Sequence, residues 1–274
     1  MSQVLLEARD ISLGYPREGG WQAVLAQFDL QLAPGEVVTI LGPSGVGKSS
    51  LLRVLAGLQQ ARGGSVTLHG QPLQGPHPRL AVAFQDPSLV CPGLSLEKNV
   101  AFGLDFARQP KLAAAERRAR IDHAIAAVGL AHARGQYPAQ LSGGMAQRTA
   151  LARCLARQPE VLLLDEPFGA LDEVTRADMQ QLLLQLIATH NTAAVLITHD
   201  IDEALLLSDR VLLLGNHPAH TLGQWHIDLP QPRTQRVEEL GALRIEILKT
   251  LRRASRTVEP TPTPLPSEAV HVHG

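Results

Sequence analysis

Apolar and polar residues alternate along "VLLEARDISLGY" (4–15) and again along "VLAQFDLQL" (24–32). A period of two predicts half-buried strands, here of an antiparallel edge sheet. "EVVTIL" (36–41) is instead a short apolar run that ends at a glycine, the pattern of a buried strand feeding a loop. From Lys48 to about Ala56 the pattern turns helical, and "SVTLHG" and "LAVAFQ" return to strand. Residues 95–158 predict mostly helix, with apolar positions at i, i+3 and i+4 in "AAAERRARIDHAIAAVGL" and in "AQRTALARCLARQ". The charges Glu116, Arg117, Arg118 and Arg120 read as the wet face of the first of these. "EVLLLDE", "TAAVLIT" and "RVLLLG" then alternate with helical stretches, the rhythm of a parallel sheet. After about Pro230, "VEELGALRIEILKTLRRAS" predicts a closing helix, and "EPTPTPLPSEAVHVHG" an extended or disordered Pro-rich tail. There is no internal repeat.

A chain of 274 residues fits one large α/β domain or two small ones. Its 25 basic and 26 acidic residues nearly cancel, which leaves no electrostatic footprint for nucleic acid. No apolar run approaches the roughly 18 residues of a membrane span, and "MSQVLLEARD" lacks the basic start and apolar stretch of a signal peptide. Cys91 and Cys154 are too few for a disulfide framework and point to a reducing cytosol. The eleven histidines show no metal-ligand spacing, and the terminal "HVHG" reads as a polar tail.

The chemistry begins at "GPSGVGKS" (42–49), which matches Gly-x-x-x-x-Gly-Lys-Ser between a predicted strand and a predicted helix. Gly45 and Gly47 let the backbone turn its N–H groups inward, and the following helix directs its positive end at the same point. Lys48 can reach β- and γ-phosphates, and the Ser49 hydroxyl can ligate Mg²⁺. "VLLLDEP" (161–167) puts two carboxylates at the carboxyl end of a buried strand, where α/β sheets bind ligands. Asp165 can organise a Mg²⁺ shell, and Glu166 can orient or deprotonate a water, worth roughly 10² to 10⁴ in rate. Taken alone, an acidic pair after a strand is as often a helix-starting turn as a catalytic site; the phosphate loop upstream makes the catalytic reading much the stronger. "LSGGM" (141–145) then raises a question, because it sets a second small-residue anion cradle before a helix in a chain that already has one.

With "LSGGMAQR", "LLLDEPFGALD" and "LITHD" present in order, the chain resembles the ATP-binding cassette (ABC) ATPases from about Val4 to Leu229. Within them, "LSGGM", "DEPFGALD" and "THDIDEAL" look like the bacterial importer branch for nitrate, sulfonate, taurine and related solutes. The resemblance implies a P-loop NTPase (RecA-like) core with an antiparallel β subdomain and an inserted helical subdomain at about 86–158. It implies an ATPase domain over 4–230, a helical extension over 231–256, and a disordered tail over 257–274.

The implied roles attach residue by residue. Gly42, Pro43, Ser44, Gly45, Val46, Gly47, Lys48, Ser49 and Ser50 would hold the phosphates of ATP, and Tyr15 would stack on adenine, with Trp21 a weaker candidate. Ser49, Gln85 and Asp165 would surround Mg²⁺. Glu166, His199 and Gln85 would act in catalysis, with His199 on the γ-phosphate. Ser142, Gly143 and Gly144 would bind the γ-phosphate of the nucleotide held by a second copy, with Asp172 at the seam. A two-fold dimer then sandwiches two ATP molecules, and the second cradle serves the neighbour's nucleotide. Met145 stands where the commonest family signature has Gln, outside the phosphate contacts.

The implied partners are a second copy in the ATP-bound state, two membrane permease subunits and, indirectly, a periplasmic or lipid-anchored solute-binding protein. The implied place is the cytoplasmic face of the inner membrane, as a peripheral subunit. "DPSLVCPGLSLEKNV" (86–100), with exposed-looking Leu89, Val90 and Leu94, would help form the groove for a permease helix. Gly93 stands where many relatives have Trp, which would make that groove shallower. Cys154 falls in a helical run and is expected to pack inside. A chromosome or DNA-repair ATPase head would need a long coiled-coil insertion between Gln85 and Ser142, and that stretch is too short here. A regulatory nucleotide binder would tolerate loss of Glu166 or His199, and both are present. A thiamine-precursor importer fits the motifs as well as a sulfonate or nitrate one, since the solute touches the permease and binding protein rather than this chain.

Overall fold

The computed structural model describes residues 4–18, 20–83, 90–106, 108–169, 171–234 and 236–256. The two alternating stretches form strands β1 (Leu6–Arg17) and β2 (Gly20–Leu32), paired antiparallel. On its other edge β1 pairs with β4 (Gly63–Leu68), which pairs with the two-residue β5 (Gln71–Pro72).

A second sheet has the order β10-β9-β3-β8-β7-β6. Its members are β3 (Val37–Leu41), β6 (Leu80–Ala83), β7 (Val161–Asp165), β8 (Ala193–Thr198), β9 (Arg210–Gly215) and β10 (His220–His226). All pairs are parallel except β9 with β10. Every residue of β3, β7 and β8 is buried, which is why these strands read as apolar runs rather than alternating ones.

Side chains of the buried strands point alternately to two cores. Val161 and Leu163, Val195 and Ile197, and Val38 and Ile40 pack with the four-stranded sheet and with helix α1 (Lys48–Leu55). Leu162, Leu164, Ala194 and Leu196 face the opposite core. That core is built by α2 (Leu96–Phe102), α3 (Ala114–Ala127), α4 (Gly143–Leu155) and α5 (Glu173–His190). The helical stretch predicted for 95–158 is thus three α-helices, with 3₁₀ turns at Ala131–Ala133 and Pro138–Gln140. Its charge run is an outer surface, with Arg120 on Glu116 at 2.5 Å and Arg117 on Asp105 at 2.8 Å.

Two features depart from the sequence reading. Strand β10 was not anticipated, and Val90, read as exposed, is buried at 3%. The cause is Asn99, fully buried in α2. Its Oδ1 accepts from the Cys91 N–H at 2.7 Å, and its Nδ2 donates to Cys91 O at 3.1 Å and Leu94 O at 2.9 Å, which pulls 90–95 onto the helix. Leu94 is half-buried, and Leu89 and Gln85 lie outside the described residues. Cys154 is buried as expected, and burial pushes its thiol pKa up.

The C-terminal stretch is fastened to the same body. Helix α7 (Val237–Arg256) sets Leu240 and Ile247 against Leu41, Val211, Leu213 and Trp225. Arg233 enters this junction almost wholly buried and donates to the carbonyls of Leu229 (2.8 Å), Ser208 (2.6 Å), Ile227 (3.2 Å) and Leu205 (3.3 Å).

Candidate nucleotide-binding site

In the parallel sheet β8 lies between β3 and β7, so their carboxyl ends are neighbours: Leu41 is in register with Thr198, and Ile197 with Asp165. Three segments emerge side by side there: the loop 42–47, the pair Asp165–Glu166, and His199.

The loop takes its shape from glycine. Gly45 and Gly47 have φ of 80° and 99°, a left-handed region that other residues enter at a cost. A Cβ on Gly47 would sit 2.7 Å from a Val24 methyl, and one on Gly42 would sit 2.7 Å from the Leu214 carbonyl oxygen. Gly47 starts α1 with no side-chain cap and no acidic residue in the first turn, so the orphan N–H groups stay directed at the loop's interior. By contrast, Asp172 caps α5 by accepting from Thr175 N–H, and Asp200 caps α6 (Ile201–Leu207) by accepting from Asp202 and Glu203 N–H. An uncapped helix start inside a glycine loop fits an anion.

Lys48 is 5% exposed, and its Nζ donates to Gly42 O at 2.7 Å and Pro43 O at 2.9 Å, folded back across the loop. Burial lowers its pKa, opposed by the nearby charges of Glu166 and Asp165. Asp165 is 7% exposed; burial raises its carboxyl pKa, and a hydrogen bond from the Ser49 side chain works the other way. Ser49 and Asp165 are thus two hard oxygen donors already side by side, the donor chemistry Mg²⁺ takes. Bound there, Mg²⁺ would neutralise phosphate charge; Ser49 and Asp165 are the described residues that would hold it.

Glu166 follows with φ of 44°, a strained backbone for a non-glycine residue. Its N–H donates to Ile197 O at 2.8 Å, which continues the pairing of β7 with β8 and turns the side chain out beyond the sheet. The carboxylate Oε1 meets His199 Nδ1 at 3.2 Å; the Glu166 side chain is 17% exposed and that of His199 60%. A sheltered carboxylate beside an exposed imidazole is an arrangement able to orient a water.

Tyr15 projects from β1 with its hydroxyl 2.5 Å from Ser50 Oγ in the first turn of α1, and the residue is 45% exposed. Trp21 is committed elsewhere: the Arg62 guanidinium lies 4.6 Å over its ring, and its Nε1 edge lies against Gly14 so closely that a Cβ there would be 2.2 Å away. Tyr15 is therefore the available aromatic face.

Ser142 and Gly143 are exposed at the start of α4, where Ser142 Oγ accepts from Met145 N–H at 3.3 Å. Met145 packs partly into the second core, which accounts for an apolar residue at that position. Helix α4 belongs to the core on the face of the sheet opposite α1, so the chain's two small-residue cradles head helices on opposite faces. Asp172 is exposed at the head of α5, and Thr175 holds its carboxyl below the usual range by hydrogen bonding. Gly144 packs on Thr175, whose Cγ2 would be 2.6 Å from a Cβ there.

The structure therefore brings together Tyr15, the loop 42–50, Asp165, Glu166 and His199, and leaves Ser142, Gly143, Gly144 and Asp172 at the heads of α4 and α5, which pack on the other face of the sheet from α1. The sequence reading missed the Tyr15–Ser50 contact, the Gly144–Thr175 contact and Arg233. Each joins segments that only folding brings together, and "LPQPRTQR" carries no signal that its first arginine is buried. Among the described residues, no group of three or more His, Cys, Asp or Glu gathers as for a metal, and no helix is long and apolar enough to cross a membrane.

The fold and this site define a P-loop nucleotide-binding protein of the RecA-like type. Residues 25–169 match the family model described as ABC transporter. The chain is 47% identical over 231 residues to the aliphatic sulfonates import ATP-binding protein SsuB 2 of Burkholderia lata, covering 84% of this chain and 81% of that one. It is 43% identical to the nitrate import ATP-binding protein NrtC of Synechococcus elongatus over 87% of this chain, which spans 37% of that longer protein. Among solved structures, the dimeric post-hydrolysis state of the ATP-binding cassette MJ0796 bound to ADP and Pi superposes with a TM-score of 0.71 at 27% identity, over 82% of this chain and all of that one. The chain belongs to the ABC transporter family, as one of its ATPase cassettes.

Proposed function

We propose that the chain is the ATP-hydrolysing subunit of a bacterial importer, energising uptake of a small anionic solute of the sulfonate or nitrate kind through a separate permease. The observation that carries the reading is the convergence of the uncapped glycine loop, the Ser49–Asp165 pair and the Glu166–His199 contact at one edge of the sheet. Lys48, released from its own carbonyls, would bind the terminal phosphates, and Glu166 would take the proton of the attacking water while His199 holds both in line. Gln85, outside the described residues, would complete the set.

Two copies would close around two ATP molecules, each lending Ser142, Gly143 and Gly144 to the other's nucleotide. The placement of α4 and α1 on opposite faces of the sheet supports this, as does the exposure of Ser142 and Gly143. ATP then does work by stabilising the closed pair over the open one. The permease would meet the helical subdomain. A cavity of about 310 Å³ there is lined by Phe102, Phe106, Arg153, Cys154 and Arg157, with Phe102 51% exposed. Such a partner would place the chain at the cytoplasmic face of the membrane, as a peripheral subunit.

The test is turnover. The purified chain should hydrolyse ATP only with Mg²⁺, and Glu166→Gln should slow hydrolysis by roughly 10² or more while ATP still binds. Near-normal turnover in that variant would remove Glu166 from its role.

A further inference from the structure

The Tyr15 hydroxyl has no task in base stacking, because a phenylalanine ring stacks as well. In this fold it nevertheless has a specific partner. Tyr15 lies in register with Gln22 near the tip of the β1–β2 hairpin, and the Gln22 side chain is held within the hairpin and from outside it. Arg17 donates to Gln22 Oε1 at 3.2 Å, and Gln22 Nε2 meets His217 Nε2 at 3.3 Å. The phenol so placed is 2.5 Å from the Ser50 hydroxyl, which stands in the uncapped first turn of α1.

Hydroxyl bookkeeping makes this pair directional. Each hydroxyl has one hydrogen to donate and two lone pairs to accept. If Tyr15 donates to Ser50 Oγ, the serine hydrogen stays free to donate to a phosphate oxygen, and the chain Tyr–Ser–phosphate strengthens along its length. If Ser50 donates to Tyr15, its hydrogen is spent and the phosphate loses a donor. The phenol is the more acidic hydroxyl, and an anion beside Ser50 draws the serine hydrogen towards itself; both favour the first direction.

We propose that Tyr15 and Ser50 form a two-hydroxyl relay that couples the base platform to the phosphate cradle, with the Tyr15 hydroxyl as a positioning group that touches neither the base edge nor a phosphate. The proposal rests on the nucleotide-site reading above. It makes base stacking tightest when the phosphate loop is filled, so that triphosphate and ring are recognised together.

The test is a double-mutant cycle on the full chain, with ATP and adenosine affinities measured by calorimetry or competition. Tyr15→Phe and Ser50→Ala should each weaken ATP binding about 3- to 10-fold. The double variant should be no more than about 2-fold weaker than the worse single, and Ser50→Thr should stay close to wild type. The Tyr15→Phe penalty should vanish for adenosine, which has no phosphate. Tighter ATP binding by Tyr15→Phe, multiplicative effects in the double variant, or an equal penalty on adenosine would each overturn the relay while leaving the site standing. If the wild-type chain failed to bind ATP, or Lys48→Ala bound it equally well, the site reading itself would fall and the relay with it.

Discussion

Gly144→Ala is the substitution whose consequences the geometry specifies most closely. A methyl at Gly144 would sit 2.6 Å from Thr175 Cγ2, whereas carbon atoms in contact keep about 3.5–4.0 Å. The start of α4 must therefore move by about 1 Å from α5, or Thr175 must turn. Overpacking of this kind costs about 1–3 kcal/mol, and replacing a helical glycine by alanine returns up to about 1 kcal/mol. The net loss of stability is then about 0–3 kcal/mol, small enough for the variant to fold. The functional loss is larger, because a displacement of about 1 Å in a positioned donor can cost on the order of 10² in rate. ATP hydrolysis at saturating enzyme, where the dimer forms, should fall by one to two orders of magnitude, with a modest drop in the urea midpoint. The clashing atom suggests its own cure: Thr175→Ser removes Cγ2 and keeps the hydroxyl that bonds Asp172. Gly144→Ala with Thr175→Ser should regain most of the lost activity. A double variant as inactive as the single one, or a Gly144→Ala variant at wild-type rate, would refute the reasoning.

Asp165→Asn should abolish Mg²⁺-dependent hydrolysis and yet stabilise the nucleotide-free fold. Burial raises this carboxyl above its ordinary 3.8, so the folded state binds the proton more tightly than the unfolded chain. Its stabilising contribution is full below pH 3.8 and is lost as pH rises through the raised folded value. At neutral pH a buried charge remains, and removing it should gain on the order of 1 kcal/mol, or about 2–4 °C in melting temperature; a lower melting temperature at pH 7 would contradict this. Arg233→Ala should cost roughly 3 kcal/mol or more in urea unfolding, since it strips four carbonyls of their donor; a loss under about 1 kcal/mol would show that the C-terminal stretch is not held as described. In a thiol-labelling comparison, half-buried Cys91 should react readily in the isolated chain and much more slowly in the complete transporter, with buried Cys154 slow in both. Equal Cys91 rates with and without the permease would rule out docking over that segment.

What was legible in the sequence was local. "VVTIL", "VLLLD" and "AAVLIT" announce central parallel strands because burial on both faces demands apolar residues at nearly every position. The glycine loop is readable because its strand, turn and helix are contiguous. Strand β10, "HTLGQWH", escaped notice because an edge strand needs little more than one anchor, here Trp225. Val90 was misread because its burial depends on Asn99, a polar residue whose value lies in the backbone groups it satisfies. The Tyr15–Ser50 and Gly144–Thr175 contacts span 35 and 31 residues, and their closeness is set by how the sheets and helices pack rather than by any local pattern.

The central claim is that one chain binds its own ATP at the glycine loop and its neighbour's at Ser142, Gly143 and Gly144. The most direct measurement is the solution mass of Glu166→Gln, by light scattering after size exclusion, with and without ATP and Mg²⁺. Without nucleotide the variant should be a monomer. With ATP a species of twice the 29.5 kDa chain mass carrying two ATP molecules should appear, and Ser142→Arg in the same background should prevent its formation. A chain that binds ATP fully and stays monomeric, or a dimer indifferent to Ser142→Arg, would contradict it.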